Sequence, residues 1–131
     1  MTINHIEDIL QKAVNIFFGA ADGLFYALIF MVVLDYITGV CVAISNKKLS
    51  SSIGAKGIAR KVMIFVLVSL SHIVDEYLMQ SKDVLRVVTT TFYLANEAIS
   101  IMENAGKLGI PLPAKLKDFI EQLRTASKKD K

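Results

Sequence analysis

Residues 24–61 read LFYALIFMVVLDYITGVCVAI followed by SNKKLSSSIGAKGIARK. The first part contains no proline and one charge, Asp35. As an α-helix it would measure about 31 Å, the thickness of a bilayer's hydrocarbon core. Lys47, Lys48, Lys56, Arg60 and Lys61 then arrive with no acidic residue among them. An apolar run that ends in a short basic loop predicts a membrane helix finishing on the cytoplasmic side, with Lys47, Lys48, Lys56 and Arg60 as the topology signal.

Composition points the same way. The 131 residues are 53% hydrophobic and 21% charged, with a mean hydropathy of +0.50. That balance is foreign to a small soluble domain. The length allows one domain, residues 1–131, built from a few helices and without a separate enzymatic unit. A net charge of +3, scattered along the chain, suits a positive-inside bias and not a nucleic-acid partner. The single cysteine, Cys41, lies inside the apolar run, which predicts a buried packing thiol and no disulfide. Glu7 and Asp8 stand where a cleavable signal peptide would be basic, so the first span is expected to act as its own insertion signal.

Outward from that stretch, residues 3–18 place Ile3, Ile6, Leu10, Val14 and Phe17 at helical spacing opposite polar residues. This predicts an amphipathic helix on the membrane surface or against the bundle. The first span falls within residues 19–44, and sliding it toward 19–40 would set Asp35 roughly 7 Å from the cytoplasmic end, level with Lys61. Gly39, one turn on, would let another backbone approach closely. A second span is expected over 58–79, where Lys61, Phe65, Ser69, His72, Asp75 and Glu76 share one arc. His72 has no second ligand at metal spacing, so a structural hydrogen bond is expected of it.

A tight QSKD link leads to a third span over 84–104. Here Arg86, Thr90, Tyr93, Glu97, Ser100 and Asn104 form a narrow polar stripe backed by Val84, Val88, Ala95, Ile99 and Met102. After Gly109, Pro111 and Pro113, residues 111–126 form a basic amphipathic helix suited to the anionic cytoplasmic leaflet. The last five residues are expected to be disordered. The reading is therefore an all-α membrane protein with three transmembrane helices and an amphipathic helix at each end. Its N-terminus lies outside and its C-terminus in the cytoplasm.

In that topology Asp35, Lys61 and Glu97 form an inner layer, and Asp75, Glu76 and Arg86 an outer one. Opposite charges at matching depth can pair, which lowers the cost of each. Three helices look too few to hide so much polar surface, so the polar faces are expected to meet across subunits or line water in an oligomer. No nucleophile–base pair, metal cluster, phosphate loop or cofactor motif occurs, so no enzyme is predicted.

The strings LDYITGVCVAISNKKLSSSIGAKGIARK (34–61), VDEYL (74–78) and NEAISIMENAGKLGIPLPAKLKDFIEQL (96–123) resemble the phage holin family that includes clostridial toxin-secretion holins. The resemblance covers roughly residues 30–123 in the expected order. It implies a cytoplasmic-membrane protein that forms homo-oligomers and opens lesions for an endolysin, or a protein toxin, at host lysis. It also allows an antiholin as regulatory partner. Two other classes fit the residues: a small ion-coupled transporter or channel subunit using Asp35 or Glu97, and a non-lytic antiholin.

Overall fold

The structure, a computed structural model, describes residues 2–19, 22–80 and 82–129. Among these residues it is all-helical: α1 (Ile3–Phe18), α2 (Gly23–Ser45), α3 (Ser51–Ile73), α4 (Val84–Lys107) and α5 (Ala114–Lys129). A π-helical turn, Val74–Leu78, extends α3 without a break.

The chain marks its own helix starts. Asp22 accepts a hydrogen bond from the Phe25 amide at 2.9 Å and opens α2, and Ser50 does the same for the Ile53 amide at 3.3 Å and opens α3. At α4 the residue in the capping position, Asp83, has φ +60° and no side-chain cap bond. Its place is taken by Asp75 from the end of α3, whose carboxylate accepts from the amides of Leu85 (3.0 Å) and Arg86 (2.8 Å). Gly109, with φ +76°, turns the chain out of α4 toward Pro111 and Pro113.

α4 packs most extensively on α2 and next on α3, while α2 and α3 touch each other less. The apolar core is small: Leu28 and Val32 from α2 meet Ile64 and Val68 from α3, with Phe18, Phe65, Tyr93 and Leu94 packed around them. Phe18, the last residue of α1, sits 5.0 Å from Phe25 and 6.2 Å from Phe65 between ring centroids, which ties α1 to this core. α5 folds back on α4 through buried Ile120 and an Arg124–Glu103 ion pair at 2.9 Å.

Among the described residues, two helices are long and apolar enough to cross a membrane: Gly23–Ser45 and Ser51–Leu78. Only 17% of the most apolar stretch of each is buried. A core helix of a soluble protein would be mostly covered, so these faces suit lipid. Tyr26, Ile29, Phe30, Val33 and Ile37 of α2, and Val62, Met63, Val66 and Leu70 of α3, all point outward. α4 is long enough to span, yet with Arg86, Glu97, Glu103 and Lys107 it is not among the apolar candidates.

Several expectations change. α3 starts at Ser51, not near residue 58, so Lys56 and Arg60 lie on its first turns and only Lys47 and Lys48 precede it. α2 runs to Ser45, which leaves Asp35 ten residues, about 15 Å, from its end. A Cβ on Gly39 would meet only the Asn104 side chain, at 3.9 Å, so no close backbone approach depends on that glycine. Cys41 is exposed on the outer face of α2. No residue of α1 is buried apart from its capping Gly19, and Ile3, Ile6, Leu10 and Phe17 remain uncovered. α5 continues through Lys129, so the expected loss of order does not extend to 127–129; residues 130 and 131 lie outside the described part.

Candidate functional site

The stripe on α4 faces inward along its whole length. Arg86, Thr90, Glu97 and Asn104 are buried and Tyr93 and Ser100 half-buried, all within one chain. Much of the surface that three helices were expected to leave open is thus covered within one chain. α4 presents its polar side to α2 and α3, so the enclosing helices need no second copy to cover it.

The half nearer the start of α3 is organised by Lys61. The Lys61 Nζ lies 2.6 Å from Asp35 Oδ2 on α2 and 3.0 Å from Glu97 Oε2 on α4, bridging all three long helices. The side chains of Lys61, Asp35 and Glu97 are 17%, 10% and 8% exposed, so the ions are largely withdrawn from solvent. Asn104 Nδ2 donates to Asp35 Oδ1 at 3.2 Å and to Thr38 Oγ1 at 2.8 Å, closing the lower edge of the network. Two carboxylates share one ammonium. A cleft of about 640 Å³ between α3 and α4 reaches it past Arg60, Ser100 and Glu103. A smaller one of about 230 Å³, bordered by Tyr36 and Gly57, reaches it between α2 and α3.

The opposite half is arranged differently from the expected layer of Asp75, Glu76 and Arg86. Asp75 is buried but holds the start of α4, and the partner of the Arg86 guanidinium is Asp22, at 2.9 Å, with Asp83 3.6 Å away. Glu76 is exposed. Asp75 and Glu76 are neighbours in the π-helical turn, where successive side chains point far apart, so with Asp75 turned in Glu76 turns out. The guanidinium beside Asp22 holds that carboxyl below the usual range. His72 is buried, yet its Nδ1 has no hydrogen-bond partner and lies 4.0 Å from Asp83 Oδ1, so the expected structural hydrogen bond is not made there. Gly19, at φ +76°, lies against it; a Cβ there would come within 2.9 Å of His72 Nδ1. Between α3 and α4, Ser71 and Thr89 join their hydroxyls at 2.7 Å.

Sequence reasoning thus found Asp35, Lys61, Glu97 and Asn104 and missed Asp22, Thr38 and Asp83. Asp22 carried a usable signal, an aspartate immediately before the apolar run where a helix cap belongs. Among the described residues no group of three His, Cys, Asp or Glu side chains is placed to hold a metal ion. Ion-pair and hydrogen-bond chemistry between helices is what the site can do.

Comparison with known proteins agrees with a membrane role. The sequence profile of the bacteriophage holin family matches residues 12–125. An uncharacterised protein of Halalkalibacterium halodurans is 38% identical over 88% of this chain and 89% of its own length. An uncharacterised protein of Clostridium perfringens is 40% identical over 81% and 80%. A probable holin of Bacillus phage phi105 is 36% identical over 71% of this chain and 68% of its own. No solved structure matches. Relatives this similar along most of both chains, together with the profile match, establish that the protein belongs to the bacteriophage holin family, whose members are pore-forming membrane proteins and not enzymes.

Proposed function

We propose that this protein is a holin of the bacterial host's cytoplasmic membrane that self-assembles and opens lesions through which an endolysin, or a protein toxin, leaves the cytoplasm. In this reading α4 crosses the bilayer with α2 and α3. Its stripe is shielded by the two apolar helices, so the cost of its polar groups is met inside the bundle. The N-terminus lies outside. Lys47, Lys48, Lys56 and Arg60 lie on the cytoplasmic side with the C-terminal helix, as the positive-inside bias requires. α3 with its π-helical extension is about 42 Å long, enough for its basic first turns to stand clear of the hydrocarbon.

The observation that carries the reading is the enclosed polar stripe itself, in a chain of this family. A bundle whose outside is apolar and whose inside is polar can present a hydrophilic wall only by parting its helices and turning α4 toward water. Self-association then replaces the packing that the parted helices give up, and an antiholin is the partner that would delay it.

Controlled expression in bacteria, following membrane potential and release of a cytoplasmic enzyme, tests the proposal. The expected course is an abrupt loss of potential followed by enzyme release. Glu97→Leu keeps the Asp35–Lys61 pair and should accumulate normally while abolishing or retiming release. Unchanged timing and extent in that variant would refute the role of the stripe. Accumulation of the native protein with neither effect would point instead to a non-lytic antiholin. With Cys41 replaced, a cysteine at Ser51 should resist impermeant reagents in intact cells before any lesion opens.

A further inference from the structure

The polar interior is not continuous. On α3, Lys61 and His72 lie on either side of Ile64 and Val68, and on α2, Leu28 and Val32 lie between Asp22 and Asp35. These four apolar side chains form one cluster in which Leu28 and Val68 are fully buried. On α4 the matching interval, Thr90 to Glu97, is two turns, about 10 Å. An apolar layer roughly that thick, with Tyr93 of the stripe packed against it, lies between the two polar halves.

Each half is reached by an opening of its own. The 640 Å³ cleft leads to the Asp35–Lys61–Glu97 cluster. At the other end a cavity of about 400 Å³, lined by Asn15, Gly19, His72 and Asp83, reaches His72. Beside it, His72 Nδ1, Arg86 Nε and Nη1 and Thr90 Oγ1 are buried with no hydrogen-bond partner, on residues that are each more than nine-tenths buried. Such groups are costly in a bilayer unless water meets them. Both halves hold more carboxylates than cations: Asp22, Asp75 and Asp83 against Arg86, and Asp35 and Glu97 against Lys61. Walls of that sign favour cations and disfavour anions.

We propose that a single protomer contains a closed proton path, with one water-filled vestibule at His72, Arg86 and Thr90, a second at Asp35, Lys61 and Glu97, and the Leu28–Val32–Ile64–Val68 layer as its dewetted gate. The path rests on α4 spanning the membrane, as above, but not on lesion formation. Making the gate polar joins the two vestibules through water; widening a passage between copies does not.

Purified full-length protein in vesicles of three parts phosphatidylethanolamine to one part phosphatidylglycerol tests this. A trapped pH dye reports proton entry under a potassium diffusion potential, and trapped carboxyfluorescein reports larger openings. Val68→Ser should raise proton flux about tenfold or more over the native protein, in linear proportion to protein density and without carboxyfluorescein release. Val66→Ser, on the outward face, should leave the flux unchanged. Where Val68→Ser fails to keep native helicity and elution, Val68→Thr and Leu28→Ala carry the test. No rise in any well-folded gate variant, an equal rise in Val66→Ser, or a rise accompanied by carboxyfluorescein release would overturn the proposal. In the last case the path runs between copies, and lesion formation stands without the gate.

Discussion

Removing Lys61 should be the most damaging single substitution in the bundle, and the geometry says by how much. Its ammonium lies 2.6 Å from Asp35 and 3.0 Å from Glu97. At an effective dielectric near 20 each contact is worth roughly 6 kcal/mol of gross attraction, most of which offsets the cost of withdrawing the ions from water. Breaking such a buried cluster by losing its central ion costs about 3–5 kcal/mol, because uncompensated charge stays behind. Lys61→Met leaves two facing carboxylates, whereas Asp35→Asn leaves the neutral Lys61–Glu97 pair. The expected order of membrane accumulation is therefore native protein, then Asp35→Asn, then Asp35→Asn with Lys61→Met, which still strands Glu97, and last Lys61→Met alone. The triple change with Glu97→Gln carries no net charge in the cluster and should recover most of the loss. Immunoblots of membrane fractions and thermal unfolding in detergent would measure this, with Lys61→Met lower by on the order of 10 °C. A Lys61→Met protein that accumulates and melts like the native one, or a triple variant no better than the single, would refute the bridging role.

Gly19→Ala forces a side chain into a backbone conformation with φ +76° and against His72, so unfolding in detergent should show a loss of about 1–3 kcal/mol. Asp75→Ala removes the acceptor for two amides at the start of α4; it should cost about 0.5–2 kcal/mol and speed hydrogen exchange at residues 85–88. The Asp22 carboxyl, held below its usual range by Arg86, binds its proton more weakly in the folded chain than in the unfolded one. Its stabilising contribution is therefore full above about pH 4 and fades as pH falls through the lowered value. Acid titration of unfolding should show a loss there that is absent in Asp22→Asn, and identical acid profiles would exclude it.

What could be read from the sequence was what depends on periodicity. The α4 stripe obeys a single unbroken helical period from Arg86 to Asn104, so its shared face was legible, as was the Asp35–Lys61 partnership that matched depths imply. Glu97's place as the second arm of the same bridge needed the packing of α4 between α2 and α3, which no one-helix count contains. The direction of the stripe was not legible for the same reason: a face too polar for lipid can turn to a neighbouring subunit or to its own bundle, and only tertiary contacts choose. At the end of α3 the arc was drawn too wide: the neighbours Asp75 and Glu76 point far apart, so only one turns in, and Asp75 does so as a cap for the next helix. The start of α3 was misplaced because SSSIGAKG reads as a loop by its serines and glycines, although Ser50 supplies the cap that starts the helix at Ser51, seven residues before Ile58.

The arrangement sets the terms on which a closed protomer could become part of an opening. In an isolated protomer, turning α4 outward would carry Glu97 away from Lys61 into lipid, and stranding that charge costs several kcal/mol. A cost of that size keeps the open form of an isolated protomer well below one per cent of the population. Under the proposed self-assembly, contacts between copies would offset it only as the membrane fills, because association favours the open form in proportion to protomer concentration. The same buried network that lets a polar helix rest between apolar ones would thus make opening depend on accumulation. Substitutions that weaken the network without stranding a charge, Asp35→Asn before Lys61→Met, should advance the onset of permeabilisation at equal protein levels. A delayed onset for Asp35→Asn at matched accumulation would mean that the network drives the opening instead of holding it back.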